Sequence, residues 1–393
     1  MRVSRPLFCG TDAMHLFLCA GEPSGDLHGA NLVRNLKARD PSLRVTGFGG
    51  PKMTAAGAEV LFDLTSLAVM GFVRVLRHLR TFFRLARQAQ DHWATDKPDA
   101  VVLIDYPGFN FALAKRAHAA GIPVYYFVPP QIWAWRTHRV KKVRRWCTGV
   151  LTALPFEDDW YRERGVATHF VGHPYFDELA AQRPDAAFVE AERIGGPVVG
   201  LLPGSRDQEV AANLPLMVGA AERIAAARPD VRFRVAAFSE RQADVCRTAL
   251  AGKNLPAEVL VGRTPEIITV ATACVAVSGS VGLELMGRHV PTVVVYRMNR
   301  LMLKLVQKLV KVPFMSLVNL LAGQELYPEH ATHSDDPAPV AGPILRWLND
   351  PAARDAVVDQ LHALTAREAR PGACDRAATF LLDTVKPAAR RAA

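Results

Sequence analysis

Hydrophobic and polar positions alternate regularly along the chain, in short apolar runs and longer amphipathic stretches. In the first half the apolar runs predict strands, and the stretches between them carry apolar residues at helical spacing. This alternation is typical of a parallel sheet with right-handed crossover helices. The strands predicted in this half are 15–20, 44–48, 100–105, 124–128, 150–154 and 169–171, with helices that include 26–38, 109–120 and 136–146.

The second half repeats this rhythm, and a polar, alanine-rich stretch at 178–196 marks the change between halves. The chain has 393 residues, 50% of them hydrophobic, which is enough for two domains with separate cores. We therefore predict two α/β domains with a cleft between them. The strands predicted in this half are 198–202, 232–236, 258–261, 274–277 and 292–296, followed by helices at 340–348, 352–364 and 373–386.

The formal net charge is +10, and the basic residues are clustered, notably at 138–145. The simplest explanation is that the excess positive charge keeps the protein soluble. The alternatives are that it binds nucleic acid, anionic lipid or a phosphorylated substrate. Six cysteines are scattered without paired spacing. This pattern fits a reducing compartment and does not indicate a zinc site or a disulfide framework.

The apolar run 14–20 is too short for a signal peptide and follows Asp12. We predict it as the first strand, and residues 1–13 as a loose extension. No apolar run reaches the roughly 18 residues that a membrane-spanning helix needs. Any membrane contact is therefore expected to be peripheral.

The segment 20–26 (AGEPSGD) follows the first predicted strand and opens a helix. Its glycines do not form the G-x-G-x-x-G pattern, so a dinucleotide fingerprint is absent. The turn is either a helix start capped by Ser24 or Asp26, or a loop that approaches a ligand closely. Both interpretations remain open from the residues.

Asp105 ends the predicted strand 100–105 and is followed by Tyr-Pro-Gly. A carboxylate at the carboxyl end of a parallel strand is well placed to act as a general base. The alternative is a cap for the helix that starts near Phe109. Pro107 and Gly108 separate Asp105 from that helix, which favours the general base.

The loop 128–136 contains two tryptophans beside Arg136. Aromatic faces pack on sugar rings or acyl chains, and arginine pairs with phosphate. A packed interface loop is the alternative.

The segments 202–206 (LPGSR), with Glu209, and 278–280 (SGS), with Glu284, each follow a predicted strand and open a helix. Amides at a helix start favour phosphate, and Arg206 adds a bidentate donor. Glu284 either accepts hydrogen bonds from a ribose or only favours the helix N-terminus. The aspartate pairs 158–159 and 335–336 are interpreted as surface carboxylates, so no metal is expected.

The stretch 67–85 is basic and amphipathic, with Met70, Val73, Leu76 and Phe83 near helical spacing and arginines between them. Such a stretch is typical of a helix on an anionic membrane. The alternative, slightly favoured by the residues alone, is a crossover helix packed on the sheet. A second candidate of this kind is 301–312, with Lys304, Lys308 and Lys311.

Together these segments resemble the lipid-A-disaccharide synthase family over nearly the whole chain. The matching segments are 20–26 (AGEPSGD), 67–71 (LAVMG), 104–110 (IDYPGFN), 132–136 (IWAWR), 154–157 (LPFE), 171–173 (VGH), 202–206 (LPGSR), 278–280 (SGS) with 283–284 (LE), and 316–322 (SLVNLLA).

The resemblance implies a GT-B fold: two Rossmann-like domains facing across a cleft, at 14–178 and 192–368, with the last helix (about 370–388) crossing back to the first. It implies transfer from UDP-2,3-diacylglucosamine to 2,3-diacylglucosamine 1-phosphate (lipid X), giving the β-1,6-linked lipid A disaccharide phosphate and UDP. The reaction would be inverting, with no cofactor and no metal. The resemblance also implies a cytoplasmic enzyme peripherally associated with the inner membrane, without nucleic acid, for which we also expect a homodimer.

By this resemblance Asp105 is the base, with Glu22 and Arg206 as further catalytic residues, and the 69–83 stretch becomes a membrane face. The expected substrate-binding residues are Ser24, Trp133, Arg136, Ser205, Glu209, Ser278, Gly279, Ser280, Glu284 and Asn319, and the expected membrane contacts are Val69, Met70, Phe72, Val73, Leu76, Phe82 and Phe83.

Three segments depart from the family pattern. The acceptor-side loop reads PPQI at 129–132, Val318 stands where proline is common, and 327–331 lacks the usual leucine-glutamine. We therefore assign no function to 327–332. The alternatives to this family are another GT-B enzyme acting on UDP-N-acetylglucosamine and a non-catalytic basic lipid- or nucleic-acid-binding protein.

Overall fold

The structure is a computed structural model, and it describes residues 13–68 and 75–385. The chain forms two compact units: unit 1 is Met1–Pro174 with Gly372–Ala393, and unit 2 is Tyr175–Pro371. The polar stretch at 178–196 therefore belongs to unit 2, where most of it folds into two helices.

Unit 1 contains a seven-stranded parallel sheet in the order β3-β2-β1-β4-β5-β6-β7. Its strands are β1 (His15–Ala20), β2 (Arg44–Gly49), β3 (Glu59–Asp63), β4 (Ala100–Ile104), β5 (Val124–Phe127), β6 (Gly149–Thr152) and β7 (Thr168–Phe170). Its helices are α1 (Pro23–Arg39), α2 (Pro51–Ala55), α3 (Thr65–Ala68), α4 (Val75–Thr95), α5 (Pro107–Ala119), α6 (Ile132–Trp135), α7 (Val140–Trp146), α8 (Pro155–Arg162) and, from the end of the chain, α19 (Ala373–Thr384).

Both faces of this sheet are covered, which explains why its central strands read as continuous apolar runs. Along β1, Leu16 and Leu18 point into a core shared with α1 and α19. Phe17 and Cys19 point to the other face, into a core shared with α4 and α5. The period-two alternation of a strand thus builds two cores from a single run.

The last helix, α19, packs on α1 of unit 1, as predicted. Ala377 and Leu381 are fully buried in the core that contains β1 and α1. An ion pair between Arg39 and Asp375, at 2.6 Å, joins the exposed sides of the two helices.

Unit 2 contains a six-stranded parallel sheet in the order β10-β9-β8-β11-β12-β13. Its strands are β8 (Val198–Leu202), β9 (Arg232–Ala237), β10 (Ala257–Val261), β11 (Ala273–Val277), β12 (Thr292–Arg297) and β13 (Glu329–Thr332). Its helices are α9 (Tyr175–Ala181), α10 (Ala186–Arg193), α11 (Asp207–Ala227), α12 (Glu240–Leu250), α13 (Thr264–Val270), α14 (Val281–Gly287), α15 (Arg300–Leu309), α16 (Leu317–Ala322), α17 (Ala338–Asn349) and α18 (Pro351–Glu368).

The predicted fold class is confirmed, with two details that differ. Strands β3 and β13 were not predicted, because both are half-polar edge strands paired on one side only. The helix predicted at 136–146 begins later, at Val140, after a short 3₁₀ turn at Thr137–Arg139. Within the described residues, none of the helices is both long enough and apolar enough to cross a membrane.

Candidate active site

The Asp105 turn lies at the topological switch point of unit 1. Strand β1 pairs with β2 on one side and with β4 on the other, and Asp105 directly follows β4. Open parallel sheets bind ligands at this position, outside the carboxyl ends of their strands. Helix α5 begins at Pro107, so Pro107 and Gly108 belong to it and do not separate it from Asp105 as predicted. Its N-cap position is nevertheless Tyr106 and not Asp105, which argues against the helix-cap alternative.

Three residues around this turn adopt left-handed backbone conformations that only glycine adopts readily. Asp105 has φ +41°, Tyr106 has φ +47°, and Val128 in the neighbouring loop has φ +49°. Such conformations cost on the order of 1–3 kcal/mol each and cluster at functional sites. The strain is a local feature that the surrounding structure must hold in place.

The backbone of Asp105 is held by three neighbours. Its N–H donates to the carbonyl of Val128 at 3.2 Å. Its carbonyl accepts from Nδ2 of the buried Asn110 at 2.8 Å and from the hydroxyl of the buried Tyr126 at 2.6 Å. These bonds fix the carboxylate-bearing residue at the end of the strand.

The turn after β1 packs directly against the Asp105 turn. A Cβ atom on Gly21 would lie 2.1 Å from Cδ1 of Tyr106, so only glycine fits there. Burial raises the pKa of Tyr106 to about 12, and the negative charge of Glu22 contributes. Glu22 therefore lies near the Asp105 turn, half-buried at the N-cap of α1, while Ser24 is exposed.

Asp26 does not cap its own helix, which was one of the two interpretations left open by the sequence. Its buried carboxylate accepts hydrogen bonds from the backbone N–H groups of Gly50, Lys52 and Met53, at 2.8–3.1 Å. It therefore caps the start of α2 and not that of its own helix. In segment 20–26, Glu22 and Ser24 remain the candidates for ligand contact.

Glu157 is a candidate site residue to which the sequence assigned no role. Its carboxylate is fully buried at the start of α8 and accepts from the indole N–H of Trp133 at 3.0 Å and from the N–H of Ala153 at 3.1 Å. Burial raises its pKa to about 7, and the charge of Asp105 adds to this effect. A glutamate in the first turn of the helix after a buried strand, in a segment shared with the family, was the available signal.

The two tryptophans of the 128–136 loop differ in exposure. Trp133 is buried, with its ring edge-on to Phe156, whereas Trp135 is 44% exposed. The guanidinium of Arg136 lies 4.1 Å from the ring centroid of Trp135. The exposed Trp135 and the half-buried Arg136 thus form an aromatic and cationic surface. The predicted contact of Trp133 with substrate stays a prediction.

The Leu202–Arg206 turn of unit 2 follows β8 at the corresponding switch point, between β9 and β11. Gly204 has φ +118°, and a Cβ there would lie 2.8 Å from Cβ of Glu209. The Glu209 carboxylate accepts from the backbone N–H of Arg206 at 3.3 Å and from its guanidinium at 2.9 Å. Glu209 therefore orders this turn, and Ser205 and Arg206 are exposed on it.

The Ser278–Ser280 turn follows the neighbouring strand β11, so both predicted anion-type turns leave adjacent strands. Gly279 and Ser280 are exposed, and the Ser278 hydroxyl donates to the carbonyl of Met315 at 3.0 Å. Glu284 is buried, where it accepts from the Tyr175 hydroxyl at 2.9 Å and from Arg288 at 3.3 Å.

Asn319, predicted to contact the nucleotide, is fully buried and bonded on both ends of its amide. Its Nδ2 donates to the carbonyl of Tyr327 and to Glu329, both at 2.8 Å. Its Oδ1 accepts from the N–H groups of Leu326 and Tyr327, both at 2.9 Å. Asn319 therefore fixes the segment leading into β13, and its contact with a nucleotide stays a prediction.

Comparison with known proteins decides the family. The family model described as lipid-A-disaccharide synthetase matches residues 16–381. The lipid-A-disaccharide synthase of Myxococcus xanthus is 36% identical over 381 residues, covering 96% of this chain and 99% of that protein. The chain belongs to the lipid-A-disaccharide synthetase family. This membership confirms the predicted enzyme class, a glycosyltransferase of lipid A synthesis.

Solved structures show the same fold at low sequence identity. The UDP-N-acetylglucosamine 2-epimerase of Neisseria meningitidis has a TM-score of 0.64 at 11% identity, covering 95% of this chain and 100% of that one. The calicheamicin glycosyltransferase CalG4 has a TM-score of 0.62 at 17% identity, covering 96% and 100%. At such identities the likeness supports the GT-B fold of the family and says nothing of substrate.

The membrane face expected from the family resemblance is only partly described. Val69, Met70, Phe72 and Val73 lie outside the described residues, as does the side chain of Leu76. Phe82 is half-buried and packs toward Tyr106 and Phe109, with ring centroids 6.4 and 5.5 Å away. Phe83 is 66% exposed. Phe82 thus packs against Tyr106 of the Asp105 turn, and Phe83 is the more exposed of the two phenylalanines.

One group of side chains in the described residues has a spacing compatible with a metal ion. His15, His92 and Asp96 each offer a ligand atom within 4.8 Å of the others. The group lies at the amino end of β1, opposite Asp105, and Arg44 already pairs with Asp96 at 2.6 Å. The interpretation of 158–159 as surface carboxylates is wrong for Asp158, which is buried and bonds to Thr152 and Arg162.

Proposed function

We propose that this enzyme transfers 2,3-diacylglucosamine from its UDP derivative to the 6-hydroxyl of 2,3-diacylglucosamine 1-phosphate (lipid X). The products would be the β-1,6-linked disaccharide 1-phosphate and UDP, with inversion at the anomeric carbon. Family membership supports the reaction class. The observation that carries the assignment of the base is the strained, hydrogen-bonded Asp105 turn at the switch point of unit 1.

In the proposed mechanism Asp105 accepts the proton of the acceptor's 6-hydroxyl as that oxygen attacks the anomeric carbon. The bond from that carbon to the diphosphate breaks, and UDP leaves with the electron pair. A positioned base contributes roughly 10²–10⁴ to the rate. Fixing the backbone of Asp105 in advance lowers the cost of orienting its carboxylate.

Glu22 and Ser24 of unit 1 would contact the acceptor, and Trp135 with Arg136 would add an aromatic and cationic surface for it. In unit 2, Arg206 and the exposed amides after β8 and β11 would bind the diphosphate and stabilise charge on the leaving group. Glu284 would bond a ribose through the remaining acceptor positions of its carboxylate, whose two oxygens already accept from Tyr175 and Arg288.

The test is UDP release from the two lipid substrates in detergent micelles, with wild type and Asp105→Asn compared. We expect turnover to fall by about 10²–10⁴ while UDP binding is retained. Asp91→Asn, a change at an exposed carboxylate of the same unit, is the control. Unchanged turnover in Asp105→Asn would show that Asp105 is not the base. No turnover in wild type would show that the proposed donor or acceptor is wrong.

We also propose that the enzyme acts at the cytoplasmic surface of the inner membrane, where its acylated substrates reside, and that it forms a homodimer. Leu79 and Phe83 of α4 are exposed one turn apart, beside the exposed Arg80 and Arg84. This arrangement supports a membrane face formed by the 69–83 stretch. Vesicle partitioning of Met70→Glu with Phe72→Glu, against Phe238→Glu in unit 2, tests the face. Sedimentation equilibrium tests the dimer.

A further inference from the structure

Helix α15 of unit 2 has a large apolar face open to solvent. Leu301 is 79% exposed, Met302 46%, Leu305 47% and Leu309 44%. None of the ten residues of this helix is buried. Isolated exposed apolar residues are ordinary, but four on one short helix mark an interaction surface.

The four side chains lie on one side of the helix because 301, 305 and 309 are spaced by four and 302 precedes 305 by three. Leu303 and Val306 are half-buried, and α15 contacts β13 of its own unit. The helix is therefore attached along one strip and presents a second apolar strip outward.

The charged residues of the helix and its two ends are all positive. Lys304 and Lys308 lie on its flank, one turn apart, and Arg300 and Lys311 lie near its two ends, all exposed. The sequence from 285 to 324 contains no aspartate or glutamate. An apolar strip bordered by cations complements an anionic bilayer surface, where acyl chains lie beneath phosphate groups.

An open pocket of about 370 Å³ lies at the start of the helix and contains cationic side chains. It is lined by Ala212, Arg297, Met298, Asn299, Arg300 and His333. Arg297 pairs through Nε with the exposed Asp335 at 2.6 Å, and Arg300 is exposed on the first turn of α15. The pocket thus places two guanidinium groups at the start of the helix that carries the apolar strip, and that of Arg297 is paired with Asp335.

We propose that α15 is a membrane-contact helix of unit 2, with its apolar strip at the acyl boundary of an anionic bilayer and headgroup phosphate at Arg297 and Arg300. A second copy of the chain is a poorer occupant. A symmetric contact through α15 would bring Lys304 and Lys308 of both copies together on a chain that already carries +10. The site is separate from the 69–83 stretch of unit 1, and it does not depend on the proposed reaction.

Insertion is tested with Leu305→Trp and vesicles of phosphatidylglycerol mixed with phosphatidylcholine. We expect a blue shift of the new tryptophan's emission and quenching by bromine-labelled acyl chains. Ile194→Trp, at an exposed apolar position of the same unit, is the matched control and should show neither change. The proposal would be overturned if the protein bound the vesicles while the emission of Leu305→Trp stayed unchanged, because the membrane contact would then lie elsewhere.

The contributions of the apolar strip and the charges are measured separately. Leu301→Glu with Leu305→Glu should weaken partitioning at least about tenfold, and Lys304→Gln with Lys308→Gln should reduce its salt dependence. Equal binding to phosphatidylcholine alone would overturn the anionic preference. A dimer that dissociates in the glutamate variant, with partitioning unchanged, would assign the strip to a second copy. UDP release in detergent reports on the reaction independently, so the two proposals fail separately.

Discussion

The indole N–H of Trp133 donates to Oε1 of the buried Glu157 at 3.0 Å. This bond joins the loop after β5 to the start of α8. It also places a carboxyl group with a pKa near 7 in electrostatic contact with Asp105. We therefore infer that Glu157 positions the 128–136 loop.

Glu157→Gln should stabilise the protein more at pH 8 than at pH 5. The pKa of Glu157 is raised from its ordinary value of 4.5 to about 7, so the folded state favours the protonated form. Stability is then lost as pH rises from about 4.5 to 7, by about 3 kcal/mol in total. Glutamine keeps an oxygen acceptor for Trp133 and does not ionise.

Thermal melting at both pH values measures this effect, with Glu163→Gln at an exposed position of the same region as control. Equal shifts in melting temperature at pH 5 and pH 8 would show that Glu157 is ionised in the folded protein at both.

The residues of the Asp105 turn show how far the sequence predicts this site. The apolar run of β4 and the polar residue that ends it place Asp105 at the edge of the sheet. The positive φ of Asp105 and Val128 has no signature in the sequence, and no sequence motif pairs Asn110 and Tyr126 with the Asp105 carbonyl that they bond. These contacts cannot be inferred from the order of residues along the chain.

The burial of two predicted site residues also could not be read from the sequence. Spacing does not show which tryptophan of a loop packs inward, and Trp133 is buried whereas Trp135 is the more exposed. Asn319 reads as a polar residue near a helix start, and its burial depends on the unpredicted edge strand β13. Edge strands carry mixed polar and apolar residues because one side faces solvent.

Tyr126→Phe should lower kcat by about tenfold with little effect on KM for UDP-sugar. The change removes one donor to the carbonyl of Asp105, so the strained turn relaxes while the nucleotide-binding unit is untouched. Loss of one buried hydrogen bond costs about 1 kcal/mol of stability.

The matched control for this change is Tyr161→Phe, which removes a buried hydroxyl bonded to the carbonyl of Pro130 at 3.4 Å. A comparable fall in kcat for both variants would indicate a general loss of packing and contradict a specific effect on Asp105.

His28→Leu should reduce the acid sensitivity of unit 1. Burial lowers the pKa of His28 to about 3, and the charges of His173 and Lys52 add to this. The unfolded chain binds a proton below about pH 6.5 while folded His28 stays neutral, so stability falls as pH falls through 6.5 toward 3. At pH 5 the loss is about 2 kcal/mol.

Melting temperatures at pH 7.5 and pH 5 measure this loss, and His138→Leu, at an exposed position, serves for comparison. An acid-induced decrease of the same size in wild type and in His28→Leu would assign the sensitivity to other groups.

Arg206→Gln should weaken UDP binding by about ten- to a hundredfold without a large change in melting temperature. Its side chain is exposed, so the main loss is a charge-assisted donor to the diphosphate. Arg241→Gln is a control on a nearby, more exposed arginine that pairs with Asp207 at 3.2 Å. Calorimetric titration with UDP distinguishes them, and equal weakening in both would indicate only a long-range charge effect.

Asn319→Ala should act on stability before it acts on nucleotide binding. The substitution leaves the N–H groups of Leu326 and Tyr327 without their acceptor and removes a donor to Glu329, inside the protein. Each unsatisfied buried group costs about 1–3 kcal/mol, so a loss of several kcal/mol is expected. Asn299→Ala, at the exposed N-cap of α15, should cost only about 1 kcal/mol. Urea denaturation measures both variants. An Asn319→Ala protein of normal stability with a much higher KM for UDP-sugar would instead make Asn319 a direct substrate contact.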